Sequence, residues 1–169
     1  MRRAHSAEEP VLRRSLSIEQ WHQLGLQGDM LPVTITLDGD SMRPLIRRGR
    51  DRVTILPVTR ELRIGDVVLF RSAQGLYVVH RVWKLGDGCV QTLGDNCMKP
   101  DCWVPLESVW GQVVSLERFG RSWRLDNGMA RAGGRIWMAI FPLRVLYKRC
   151  RQFAGRFYRM ILAQIDDAK

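Results

Sequence analysis

Gly65-Asp66-Val67-Val68-Leu69-Phe70, Gln74-Gly75 and Leu76-Tyr77-Val78-Val79-His80-Arg81-Val82-Trp83 form the stretch whose reading decides the fold. Val67 to Phe70 is apolar at every position, which predicts a strand buried on both faces. Gln74-Gly75 supplies a hairpin turn, and 76–83 returns as the partner strand. Outward toward the C-terminus, Gly86-Asp87-Gly88 turns into Val90-Gln91-Thr92-Leu93, which Gly94-Asp95-Asn96 ends. A loop from Cys97 to Val104 follows, then strand candidates at Val109 to Leu116 and Ser122 to Leu125. Toward the N-terminus, Val53-Thr54-Ile55-Leu56 ends at Pro57 and is preceded by a basic turn from Arg47 to Asp51. The alternating run Val33-Thr34-Ile35-Thr36-Leu37 reads as a half-buried strand. Some seven short strands separated by Gly and Asp turns predict a mainly β, antiparallel, partly closed fold. A short helix from Ile18 to Leu24 is expected before them, with Ser17 and Gln20 as a capping box, Gly25 as its stop and His22 on its surface.

At 169 residues, 46% apolar and 26% charged, the chain has the size and composition of one folded domain with a small appendage. We divide it into a flexible arm (1–17), a β-domain (18–127) and a helical tail (128–169). The net charge of +10 is concentrated in that tail, where nine Lys or Arg face two Asp from Met129 to Lys169. The tail interleaves its cations with Ile136, Trp137, Phe141, Leu143, Leu146, Tyr147 and Phe153 at helical spacing, and Pro142 marks a kink or a fresh start. Such a basic amphipathic helix suits an anionic membrane surface, or else packs its apolar face on the β-domain. Nucleic acid is the less expected partner. Cys89, Cys97, Cys102 and Cys150 lack the paired spacing of a zinc site, so neither a metal nor another cofactor is expected. No apolar signal segment or run of about twenty apolar residues is visible, which predicts a cytoplasmic protein or one peripheral to the cytoplasmic membrane.

The strand at 33–37 runs into Asp38-Gly39-Asp40-Ser41-Met42-Arg43-Pro44-Leu45. Gly39 permits a tight backbone and Pro44 stops a helix, so Ser41 is expected on a constrained turn with its hydroxyl exposed. An isolated Gly-Asp-Ser is most often an ordinary polar turn. A serine hydroxyl becomes a nucleophile only with a base in hydrogen-bond reach. His80 is the stronger candidate for that base, although a histidine in an apolar strand is more often a core residue. A carboxylate would fix its tautomer, and Asp40, Asp66, Asp95 and Asp101 are all available.

Four blocks in order, Gly39-Asp40-Ser41-Met42-Arg43-Pro44, Gly65 to Phe70, Val79-His80-Arg81-Val82, and Leu93-Gly94-Asp95-Asn96 with Asp101 beyond, resemble the signal peptidase and LexA-type serine peptidase superfamily. They span roughly residues 33 to 116. A histidine at position 80, where many members carry lysine, resembles the archaeal and endoplasmic-reticulum type of signal peptidase. The resemblance implies a serine endopeptidase acting on a peptide or precursor protein. It makes Ser41 the nucleophile, His80 the general base and Asp101 the orienting carboxylate, with Asp95 as runner-up. The Ser41 backbone N–H would hold the oxyanion, since Gly39 stands where some members add a serine hydroxyl. The chain departs from the pattern at Gly49-Arg50-Asp51, where Gly-Asp is usual. The competing expectation is a non-catalytic module that keeps the fold and binds lipid, nucleic acid or protein through its tail.

Overall fold

A computed structural model describes residues 17–28, 31–58 and 60–166. The chain is mainly β: eight strands form one antiparallel sheet, curled into a half-barrel, with a helix before it and two after. The strands are β1 (Val33–Thr36), β2 (Arg52–Pro57), β3 (Val67–Arg71), β4 (Tyr77–Gly86), β5 (Cys89–Leu93), β6 (Trp103–Pro105), β7 (Val109–Arg118) and β8 (Arg121–Arg124). Their order is β1-β2-β7-β3-β4-β5-β6, with β8 paired to β7.

The expected β3–β4 hairpin forms, in the register Val68 to His80 and Leu69 to Val79. Its double burial follows from the pleat, which sends alternate residues to opposite faces. Val67 and Leu69 join one core with Trp21, Met42, Ile46, Val53, Ile55, Val79, Val113 and Leu116. Val68 and Phe70 join a second core with Leu62, Val82, Val90, Val104 and Val109. β6 is a departure from the expected Cys97 to Val104 loop: Val104 is 7% exposed and pairs with Val90, so one buried valine is enough to seat three residues as an edge strand.

α1 (Ile18–Leu26) begins at the expected capping box, Gln20 N–H on Ser17 Oγ and Ser17 N–H on Gln20 Oε1. It runs through Gly25 rather than stopping there, because that residue faces Pro57 at a distance where a Cβ would already be in tight contact. Trp21 is buried and donates from Nε1 to the Leu31 carbonyl at 2.7 Å. His22 is not a plain surface residue: its ring stacks on Trp110 with centroids 4.1 Å apart, and burial lowers its pKa. The expected arm at 1–16 lies outside the described residues.

The Gly49-Arg50-Asp51 departure is accommodated. Gly49 takes a left-handed φ of 66° and donates to the Leu37 carbonyl at 3.1 Å, and the fully buried Asp51 receives the Arg47 N–H at 2.7 Å and the Arg118 guanidinium from β7. The tail forms α2 (Gly128–Ala139) and α3 (Phe141–Asp166), with Pro142 at the fresh start of α3. α2 docks through glycine on glycine. A Cβ at Gly134 would stand 2.7 Å from the Gly65 carbonyl, and one at Gly65, whose φ is +98°, would stand 3.0 Å from the Arg131 carbonyl.

Candidate active site

β4 and β5 deliver the chemistry-bearing side chains, and strand parity decides which of them meet. Direct partners in an antiparallel pair share a face. Val68 opposes His80, Val67 opposes Arg81 and Val82 opposes Thr92. His80 therefore shares its face with Val82 and Thr92, while Arg81 points to the other side.

On the first face, His80 Nδ1 lies 2.6 Å from Asp101 Oδ2. The same carboxylate oxygen accepts the Thr92 hydroxyl at 2.6 Å, and the Asp101 N–H donates to the Thr92 carbonyl at 2.9 Å. Gln91 Nε2 adds a bond to the Asp101 carbonyl at 3.0 Å. These contacts pin the start of the 101–102 segment along β5 and aim its carboxylate at the ring. An ionised Asp101 accepts at Nδ1, which makes Nδ1 the protonated nitrogen and leaves Nε2 as the basic one. His80 is 7% exposed, so only a narrow part of the imidazole meets solvent.

On the opposite face, Arg81 Nε and Nη2 donate to the two oxygens of Asp95 at 2.9 and 2.8 Å, and Nη1 donates to the Gly65 carbonyl at 2.8 Å. Asp95 thus serves a buried ion pair, not His80. This corrects the runner-up assignment: Asp95 continues the parity of Leu93, which opposes Arg81, so its side chain leaves on the Arg81 side. Asp66 is also structural, buried at its turn with the Arg63 N–H at 2.9 Å and Arg60 at 3.2 Å. Asp40 is exposed, 3.6 Å from Arg43.

Ser41 lies half-buried in the turn that follows β1, held from below by Met42 and Ile46, each 1% exposed. The turn is gripped by the one that ends β5: Asn96 N–H donates to the Ser41 carbonyl at 2.7 Å, and Asn96 Nδ2 to the Asp40 carbonyl at 3.2 Å. Gly94 marks the meeting point. A Cβ there would lie 2.8 Å from the Ser41 carbonyl oxygen, 2.9 Å from His80 Nε2 and 2.6 Å from Cys97 Sγ, so any side chain would wedge the serine turn away from the imidazole. Ser41 and His80 line one cavity of about 380 Å³, whose other walls include Ile18, Ile35, Leu37, Leu69 and Tyr77. Among the described residues no hydrogen bond joins the Ser41 hydroxyl to His80, and the Ser41 N–H donates to no acceptor.

Three residues at the edge of the site were not assigned to it from the sequence. Cys97 Sγ, like His80 Nε2, lies within 3 Å of where a Cβ at Gly94 would stand, and burial first and the Asp101 charge second push its pKa up. Among the described residues, no group of three His, Cys, Asp or Glu side chains could hold a metal ion. Lys148 reaches from α3 to the Asn96 carbonyl and, at 2.7 Å, to Asn96 Oδ1, while Arg144 Nη1 donates to the Asp95 carbonyl at 2.6 Å. No local pattern pairs an i, i+4 Arg and Lys with a turn some fifty residues earlier.

No family model matches the chain, and no curated protein sequence matches it.

Proposed function

We propose that the protein is a serine endopeptidase of the signal peptidase-like kind, cleaving a peptide or precursor protein through an acyl-enzyme on Ser41. The observation that carries this reading is the 2.6 Å contact between His80 Nδ1 and Asp101, on the face whose Nε2 approaches the Ser41 turn at Gly94. In that arrangement His80 Nε2 takes the hydroxyl proton as Ser41 Oγ attacks the scissile carbonyl. Asp101 keeps the ring in its Nδ1–H tautomer and stabilises the imidazolium, without becoming protonated itself. The developing oxyanion meets the Ser41 backbone N–H, a contribution of a few kcal/mol per donor in sites of this type. His80 then returns its proton to the leaving amine, and a water activated by the same nitrogen releases the acyl group.

Substrate would enter as an added strand. β1 ends the sheet order, pairing with β2 on one side only, and Ile35 and Leu37 run from it into the cavity that holds Ser41. Backbone bonds along such an edge give affinity, and alternate side chains enter pockets. The resemblance to signal peptidases implies small residues next to the scissile bond. The test is cleavage of a peptide library of extended sequences, read by mass spectrometry. The expected result is cleavage after small residues that disappears in Ser41→Ala and in His80→Ala; cleavage that survives Ser41→Ala would overturn the assignment. The competing reading, a binding module without catalysis, draws on the exposed basic tail, and it predicts that the intact protein cleaves nothing in that library.

A further inference from the structure

α3 has two faces with opposite duties. Arg144, Lys148 and Gln152, spaced i, i+4, i+8, turn toward the β-domain and contact the Asp95 carbonyl, Asn96 and Met98. Side chains three and four apart share a helix face. Leu143, Leu146, Tyr147 and Phe153 lie off that face and are 67, 58, 66 and 73% exposed. An apolar row of this size facing outward on a folded chain marks a contact surface rather than a core. Exposed Arg149 and Arg156, seven apart, flank the row on one side, and exposed Arg151 flanks it on the other.

We propose that this outer face of α3 is a docking surface for an anionic lipid membrane, on which the helix lies along the headgroup plane. Charge selects the occupant: the row has cations on both flanks, and the tail carries seven of the ten surplus positive charges of the chain. An apolar stripe between arginines fits acyl chains below and anionic headgroups beside it. No helix among the described residues is long and apolar enough to cross a membrane, so α3 lies in the interface rather than through it. The inner face holds Asn96, which in turn holds the Ser41 carbonyl, so lipid contact would fix the position of the cleft relative to the membrane surface.

This inference goes beyond the peptidase reading and does not depend on it. The test is co-sedimentation of the full chain with vesicles of phosphatidylcholine alone and of phosphatidylcholine mixed with phosphatidylglycerol, at low and at near-physiological salt. The full chain is expected to bind the anionic vesicles at least about tenfold more tightly than the neutral ones. Leu146→Asp with Phe153→Asp, both at exposed positions, should abolish that binding while circular dichroism and Tm stay unchanged. Arg149→Gln, Arg151→Gln and Arg156→Gln together should weaken it by about tenfold or more. Ser41→Ala should bind like the native chain, which separates this outcome from any failure of catalysis. Equal binding by the Leu146→Asp, Phe153→Asp variant would overturn the proposal by reducing it to adsorption through charge. So would absence of vesicle binding by a native chain that sediments as a dimer, because a second copy would then cover the face.

Discussion

A methyl group added at Gly94 would stand less than 3 Å from the Ser41 carbonyl, the His80 ring and the Cys97 sulfur. Asp101 holds the His80 ring in place, so the Ser41 turn, the 94–96 turn that carries it or the Cys97 side chain must shift. Gly94→Ala is therefore expected to lower kcat by about a hundredfold or more, since an ångström of misplacement has that effect on a positioned nucleophile; steady-state kinetics against a cleavable peptide checks it. The two acidic candidates should separate cleanly at the same scale. Asp101→Asn should cut kcat by about 10² to 10⁴ with Tm little changed, through loss of the Nδ1–H tautomer. Asp95→Asn should instead destabilise by about 3 kcal/mol in urea, because it strips the buried Arg81 of its counter-charge. Equal kinetic effects of both changes with equal Tm would contradict these roles. The sequence blocks propose Ser41, His80 and Asp101 together, and of these the structure joins His80 to Asp101 by a hydrogen bond. What separates Asp101 from Asp95 is parity: adjacent His80 and Arg81 leave β4 on opposite faces, and the partner of each follows from the β4–β5 register, which one sequence does not display.

Among the elements, α3 couples most directly to the serine turn, through Lys148, Asn96 and the Ser41 carbonyl. Lys148→Met is expected to lower kcat by about tenfold with KM nearly unchanged, and to speed hydrogen exchange at the Asn96 amide; Lys148→Arg should restore most of the rate. An unchanged exchange rate at Asn96 would contradict the clasp. The elements themselves were largely readable. Val67 to Phe70 announced a doubly buried strand because both faces of β3 meet a core, and Ser17 with Gln20 announced the start of α1. The ends were less so: α1 overran Gly25 because tertiary contact with Pro57 outweighs the propensity cost of a glycine, and β6 rests on a single buried valine. The sequence leaves the tail either on an anionic membrane surface or packed on the β-domain; in the structure one face of α3 meets the turn at 94–96, while Leu143, Leu146, Tyr147 and Phe153 are exposed.

At the scale of the molecule, the pair of buried Asp51 with half-buried Arg118 ties the turn after Ile46 to β7. The Arg118 hydrogen bond, more than any other cause, holds the Asp51 carboxyl below the usual carboxylate range. A carboxyl with a lowered folded pKa contributes stability above its unfolded pKa of about 4, and that stability is lost as pH falls through the folded value. Native stability should accordingly decline in acid. Arg118→Met leaves Asp51 buried without its partner, at a cost of about 3 kcal/mol near neutrality. Protonation then relieves the variant, so its gap from the native chain should narrow as pH falls toward about 4 in a series of urea titrations. A constant gap across that range would contradict the role given to the pair. The net charge and its concentration in the tail, unlike this pair, are visible in the sequence, but which tail cations turn inward (Arg144, Lys148) and which are exposed (Arg149, Arg151, Arg156) required the fold.

The central claim is that Ser41 is a nucleophile activated by His80. Its most direct measurement is reaction of the full chain with a fluorophosphonate, followed by mass-spectrometric mapping of the adduct. The account predicts one phosphonyl group, on the peptide containing Ser41, and none in His80→Ala at the same exposure. A native chain that stays unlabelled, or a His80→Ala variant that labels at the native rate, would contradict it.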